Sequence, residues 1–208
     1  DRSSDGGEIL RQIERDLEGK AMSLETVSAL VVRLMDLYNI RVGSDEYARL
    51  NESYGLTTLK SMHVKHIRGD EAEGKHDVIF TFTGKSNKDW EIKIEDDYLV
   101  DLILRTNRLG AKDADLFMYI SEAGNEVDLK AEHINQYIRE SSREGFTAKN
   151  FRTWAATSRC AERLAFLSKV QTPQAMKKWL KAMPDVESIG KIWSEGDWEV
   201  PTSEAQRS

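Results

Sequence analysis

A single cysteine stands in 208 residues, so the chain forms no internal disulfide and a reducing, intracellular setting is expected. That residue, Cys160, falls on a helical pattern and reads as a small buried hydrophobe. Long apolar runs are also lacking: the run at 29–32 is broken by Arg33, far short of the about 20 residues that span a bilayer. No transmembrane helix or membrane partner is expected, and no basic-then-apolar signal peptide opens the chain. Repeats and low-complexity tracts are absent. With 39% hydrophobic and 32% charged side chains, the composition excludes disordered, collagenous and coiled-coil classes and suits one sizeable core. The chain opens at Asp1 rather than Met, and the expectation is a processed protein or a piece of a longer one.

The formal net charge is −6, which argues against wholesale binding of a polyanion. Its distribution points elsewhere. Between 141 and 182 there are nine basic residues against two acidic ones, and the chain turns acidic afterwards. Such a segment fits a local anionic partner, or a solvated helix face.

Apolar residues at helical spacing define an opening helix through Ile9, Ile13 and Leu17 and a second through Leu24, Val27, Leu30, Val31, Leu34 and Tyr38. Ser23 is placed to cap the second, and Gly43 to stop it. A short helical turn is expected at 44–51. Three β-rich runs follow, at 59–67, 78–83 and 90–94, joined by short polar links that contain glycine. They predict a three-stranded antiparallel sheet with Lys85 in the second hairpin loop. Helical spacing returns at 98–104, a brief extended run covers 116–120, and further helices are expected at 129–139, from 147 onward, and from Pro173 to Met183. The expected domain is 1–183, with 184–208 an acidic, loosely ordered tail.

Several short strings imitate sites. Gly84-Lys85-Ser86 resembles the end of a phosphate-binding loop, but that motif needs a glycine where Ile79 stands and a helix afterwards. His63 and His66 read as a solvent-facing pair on a strand, with no cysteine or paired carboxylate to complete a metal set, so no metal is expected. Asn51-Glu52-Ser53 has the form of a glycosylation sequon, without meaning in an intracellular chain. No Ser/His/Asp or Cys/His set is apparent. What remains are cations in loops and at element ends: Arg41 beside Gly43, Lys85 at a hairpin tip, and Lys149 with Arg152 at a helix start. Two arginines and a lysine converging on one phosphate would stabilise a pentacoordinate phosphoryl transition state, and a lysine would protonate a leaving oxygen. Taken singly, each reads as a surface cation rather than a catalyst.

The strings around these cations change the reading. Val31-Val32-Arg33-Leu34-Met35-Asp36-Leu37 and Ile40-Arg41-Val42-Gly43-Ser44-Asp45-Glu46-Tyr47-Ala48-Arg49 are followed by Ser53-Tyr54-Gly55-Leu56-Thr57-Thr58-Leu59 with His63-Val64. Phe82-Thr83-Gly84-Lys85-Ser86 and Phe146-Thr147-Ala148-Lys149-Asn150-Phe151-Arg152-Thr153-Trp154-Ala155 come next, in order. Together, across about 9–167, they resemble the core of poxvirus-type and bacterial type IB DNA topoisomerases. The resemblance implies an α+β, mainly helical fold of the topoisomerase IB and tyrosine recombinase type, with a small three-stranded antiparallel sheet. It implies Arg41 and Arg152 as catalytic arginines, Lys85 as the general acid on the leaving 5′ oxygen, and Lys149 as an auxiliary cation. Gly43 and Tyr47 complete an Arg-x-Gly-x-x-x-Tyr motif, and Tyr47, Thr57 and Thr58 are expected to contact the DNA backbone, which fixes register without reading sequence. Trp154 reads as core packing.

The partner so implied is double-stranded DNA, bound by a monomer that needs no metal or nucleotide, in the cytoplasm and nucleoid-associated if the host is bacterial. The family's nucleophile is a tyrosine on a C-terminal helix after a Thr-Pro turn. All six tyrosines here precede Arg152, and Gln171-Thr172-Pro173 lies too near Arg152 to be that turn. A core without its nucleophile segment and without the β-rich N-terminal clamp is therefore expected. The alternatives are a non-catalytic DNA-binding relative, a tyrosine recombinase-like domain, and a protein-interaction module.

Overall fold

Two helices open the fold, α1 (Arg2–Leu17) and α2 (Leu24–Tyr38). Ser23, in extended backbone, accepts the Thr26 N–H at 3.3 Å and starts α2 as its cap. Helix α2 buries nine residues from Thr26 to Met35 and packs against α1 and the later helices, so it is the axis of the core. It ends at Tyr38 because Asn39 turns left-handed (φ 54°) and closes its N–H on the Met35 carbonyl at 3.0 Å. Gly43, expected as the stop, lies farther on and serves another purpose.

The computed structural model describes residues 2–19, 21–68, 76–111, 113–142, 146–153 and 157, all within one compact unit, 1–157. A second unit, 158–208, holds Cys160, the helix expected from Pro173 and the acidic tail, and lies outside the described residues, as does Trp154.

Helix α3 (Asp45–Asn51) is short and buries none of its residues. The sheet comprises β1 (Val64–Arg68), β2 (His76–Gly84) and β3 (Lys88–Ile94), in that order and antiparallel. Its register pairs Val64 with Phe80, Phe80 with Ile92, and Phe82 with Trp90. Val78, Phe80, Phe82, Ile92 and Ile94 are buried on one face, while Thr81, Glu91 and Lys93 are exposed on the other, as strand alternation dictates. The first strand is shorter than its β-rich run because 3-10 turns form at Leu56–Thr58 and Ser61–His63. There Thr58 Oγ1 accepts the Gly55 N–H and His63 Nδ1 the Lys60 N–H, each at 3.0 Å, and these local bonds displace a ladder.

Helix α4 (Asp97–Asn107) is capped by Asp96, which accepts the N–H groups of Tyr98 and Leu99. A hairpin of β4 (Met118–Ile120) and β5 (Glu126–Asp128) follows, then α5 (Ala131–Ser141) and helical residues 148–153. Asp16 knits the bundle together. Its carboxylate accepts the Tyr137 hydroxyl of α5 at 2.7 Å, and its carbonyl accepts the Thr26 hydroxyl of α2 at 3.0 Å. The fold is α+β, dominated by helices, with the small three-stranded antiparallel sheet that was expected. Among the described residues no helix is long and apolar enough to cross a membrane.

Candidate functional site

Arg41 stands on a stem whose geometry is set by two glycines. The Arg41 carbonyl accepts the Leu56 N–H at 2.9 Å, and the Val42 carbonyl accepts both the Thr57 N–H at 2.7 Å and the Thr57 hydroxyl at 2.9 Å. Gly43 takes φ +111°, and a Cβ on Gly55 would lie 2.6 Å from the Gly43 N and Cα. The two backbones touch, which only glycine permits. Ile40 is buried next to this crossing and Arg41 is exposed above it. The stem is thus anchored at both sides of the arginine.

Thr57 and Thr58 are 2% and 3% exposed, with their hydroxyls bonded to the backbone of Val42 and Gly55. They hold the loop from beneath rather than line its surface. Tyr47, on α3, projects outward at 56% exposure. His63 also departs from its expected place: it is half-buried, caps Lys60 and meets the Tyr54 ring edge-on at 4.4 Å. Burial, and then the nearby Lys60 charge, depress its pKa. His66 instead meets His76 of the neighbouring strand, ring centroids 5.1 Å apart.

The second hairpin carries Lys85. Its turn spans Lys85–Asn87, with Ser86 and Asn87 both left-handed (φ 64° and 56°). Gly84 packs on the Trp90 indole, where a Cβ would approach Nε1 to 2.7 Å. Trp90 stacks nearly parallel to Phe82, and Lys88 folds back over the indole at 4.8 Å. Of the two hairpin lysines, Lys88 is drawn onto the ring and Lys85 is exposed at the tip. The Tyr54 N–H bonds to the Thr83 carbonyl at 2.8 Å, so the hairpin base is tied to the segment that leads into Gly55 and the Arg41 stem.

Arg152 comes from the far end of the described chain. Ala148 and Phe151 are buried, so the helical turn shows Lys149 to solvent and leaves Arg152 half-buried. Thr147 and Asn150 bond each other's side chains at the turn's start, and Asn135 of α5 accepts the Ala148 N–H at 2.9 Å. Burial, followed by the positive charge of Arg41, lowers the pKa of Arg152, which still stays charged. Two guanidinium groups from distant segments are therefore held within each other's field. Like charges so placed repel unless an anion sits between them. Asn135 gave no signal in the sequence; nor did Lys130 and Asp115, apart from a repeated Lys-x-x-His spacing at Lys60/His63 and Lys130/His133. Among the described residues no group of three metal-ligating side chains gathers.

In class, this is a pair of guanidinium groups brought within each other's field on a mainly helical α+β scaffold. The family model for the catalytic core of eukaryotic DNA topoisomerase I matches residues 6–188. DNA topoisomerase 1B of Acanthamoeba polyphaga mimivirus is 34% identical over 155 residues, which is 73% of this chain and 44% of that protein. The chain belongs to the type IB DNA topoisomerase family, in its catalytic-core region. It spans less than half the length of the mimiviral relative.

Proposed function

We propose that the chain is the cation-bearing, duplex-gripping part of a type IB DNA topoisomerase, with the fold that such enzymes share with tyrosine recombinases. In the complete reaction a tyrosine hydroxyl attacks a DNA phosphodiester. A 3′-phosphotyrosyl bond forms, the bond to the 5′ oxygen breaks, and that oxygen leaves as a hydroxyl. Arg41 and Arg152 hold the non-bridging oxygens and take up the charge that grows on the phosphorane. Lys85 supplies the proton to the 5′ oxygen, with Lys149 as an auxiliary cation. Gly43 shapes the stem under Arg41, Thr57 and Thr58 brace it, and Tyr47 positions the backbone. The phosphotyrosyl bond conserves the energy of the broken linkage, so religation needs neither metal nor nucleotide, and a monomer suffices.

The observation that supports this reading most directly is the proximity of the Arg41 and Arg152 charges, felt in the lowered pKa of Arg152. A second reading, a non-catalytic DNA-binding relative, would hold a duplex through the same cations. One experiment bears on both. The chain is expected to bind a duplex with strong salt dependence, and Arg41→Ala or Arg152→Ala should each flatten the log–log salt slope by about 1. It should form no covalent adduct and relax no plasmid. Salt-independent binding would favour the interaction module, and robust relaxation would show that another residue serves as nucleophile.

A further inference from the structure

Lys130 is the N-cap residue of α5, and its own N–H donates to His133 Nδ1 at 3.0 Å. With its backbone fixed, its ammonium reaches Asp115 at 3.1 Å, Asp45 at 3.5 Å and Asp128 at 3.7 Å. Asp115 is the fixed point of this group. Its side chain is only 8% exposed, and its other oxygen takes the ammonium of Lys60. Asp115 belongs to a stretch bonded on both sides, Leu116 N–H to the Leu59 carbonyl at 2.7 Å and Leu129 N–H to the Phe117 carbonyl at 2.9 Å.

The two ends of this brace lie on the two halves of the phosphate site. Asp45 is the first residue of α3, just beyond the Arg41–Gly43 stem. Farther along α5 from Lys130, Asn135 holds the start of the helical turn that bears Arg152. We infer that Lys130, seated on Asp115, is a positioning residue that sets the separation of Arg41 and Arg152 by pinning the start of α3 to the start of α5. This rests on the topoisomerase reading above.

The charges explain why one lysine suffices. Burial works against its ammonium, but Asp115, Asp45 and Asp128 outweigh that cost, and its pKa is raised. Three donors meet three carboxylates, a match that an ammonium makes and a carboxamide does not. The Asp45 contact alone would be a weak surface pair, since Asp45 is 65% exposed. Asp115 changes this by ordering the lysine before Asp45 is engaged, so less side-chain entropy remains to be lost. Helix α3 buries no residue of its own, and its N-cap residue Ser44 makes no side-chain cap bond.

A double-mutant cycle tests the inference. Binding of the full chain to a short duplex is measured for Arg41→Ala, Arg152→Ala and the pair, first in the parent and then with Lys130→Gln, Lys130→Arg or Asp45→Asn. If the arginines share one phosphate, their losses in the parent are coupled, by about fivefold or more. Lys130→Gln and Asp45→Asn should bring that coupling close to 1, and Lys130→Arg should keep most of it. Asp45 is exposed, so its variant should melt like the parent, which separates positioning from loss of fold. Unchanged coupling in both variants would overturn the brace while leaving the topoisomerase reading intact. A parent whose binding ignores Arg41 and Arg152 would remove the shared phosphate site and the brace together.

Discussion

Gly55 lies against Gly43 so closely that a Cβ on Gly55 would stand 2.6 Å from the Gly43 N and Cα and 2.7 Å from the Arg41 carbonyl oxygen. All three obstacles are backbone, so none moves without moving the arginine stem. Gly55→Ala is expected to cost about 2–3 kcal/mol, at the upper end of overpacking. Gly43→Ala meets threonine hydroxyls at 3.0 and 3.1 Å and the Gly55 carbonyl carbon at 3.3 Å, and adds the strain of φ +111°, a cost of about 1–3 kcal/mol. Urea unfolding measures both. A neutral Gly55→Ala would mean that the crossing is looser than described, and the rigid-stem account of Arg41 would fall.

The Gly84–Trp90 contact makes a prediction of a different form. The obstacle to a Cβ at Gly84 is one side chain, with Nε1 at 2.7 Å and Cδ1 at 2.8 Å, and the indole is held from behind by Phe82. Gly84→Ala alone should destabilise by about 1–3 kcal/mol. In a Trp90→Leu background it should cost markedly less, giving a coupling of about 1 kcal/mol or more in thermal or urea melts. Additive losses would show that the glycine is needed for the turn and not for the indole.

His63 ties stability to pH. Its pKa is lowered in the fold from an ordinary 6.5, by burial and by Lys60, and its Nδ1 must stay unprotonated to accept the Lys60 N–H. The unfolded chain therefore binds more protons than the folded one in the window just below pH 6.5. The stabilising contribution is complete above that value and is lost as pH falls through the window. The midpoint of urea unfolding should drop from pH 7 to pH 5.5 by more in the parent than in His63→Gln. Equal drops would assign the acid sensitivity to other groups.

How much of this was legible depended on the range of the interaction. Helices announced by apolar periodicity and a near neighbour, such as Ser23 before α2, stood where the pattern put them, and so did the hairpins around Lys85. β5 was missed because Glu126–Asp128 offers one apolar residue, too few for alternation to show. Asn39 ended α2 ahead of Gly43 because asparagine also adopts the left-handed region, with a weaker signature than glycine. Thr57 and Thr58 resembled surface contacts because hydroxyls used internally look, in sequence, like hydroxyls offered outward. Arg41, Lys85 and Arg152 were distinguishable from other surface cations only by the family resemblance. Their supports, Lys130, Asp115 and Asn135, act across contacts that no local pattern records.

The cations themselves carry the sharpest prediction, because three positive charges are assigned two different jobs. Joined to the nucleophile-bearing C-terminal segment of a full-length family member, the chain should cleave duplex DNA, slowly if a clamp is lacking. In that hybrid, Arg41→Ala and Arg152→Ala each remove a donor to the phosphorane, a loss of about 10² to 10³ in cleavage rate. Lys85→Ala should slow cleavage for another reason, since the 5′ oxygen then leaves without a proton. A substrate with sulfur at the bridging 5′ position separates the two, because a thiolate is a good leaving group unprotonated. On that substrate Lys85→Ala should recover most of its lost rate, while the arginine variants, whose defect lies on the non-bridging oxygens, should recover little. Lys88→Ala serves as the control within the same hairpin: its ammonium rests on Trp90, so its loss should leave the sulfur effect as in the parent. Equal rescue of all three variants would show that Lys85 is not the proton donor, and undiminished cleavage by both arginine variants would dismiss the shared phosphate site.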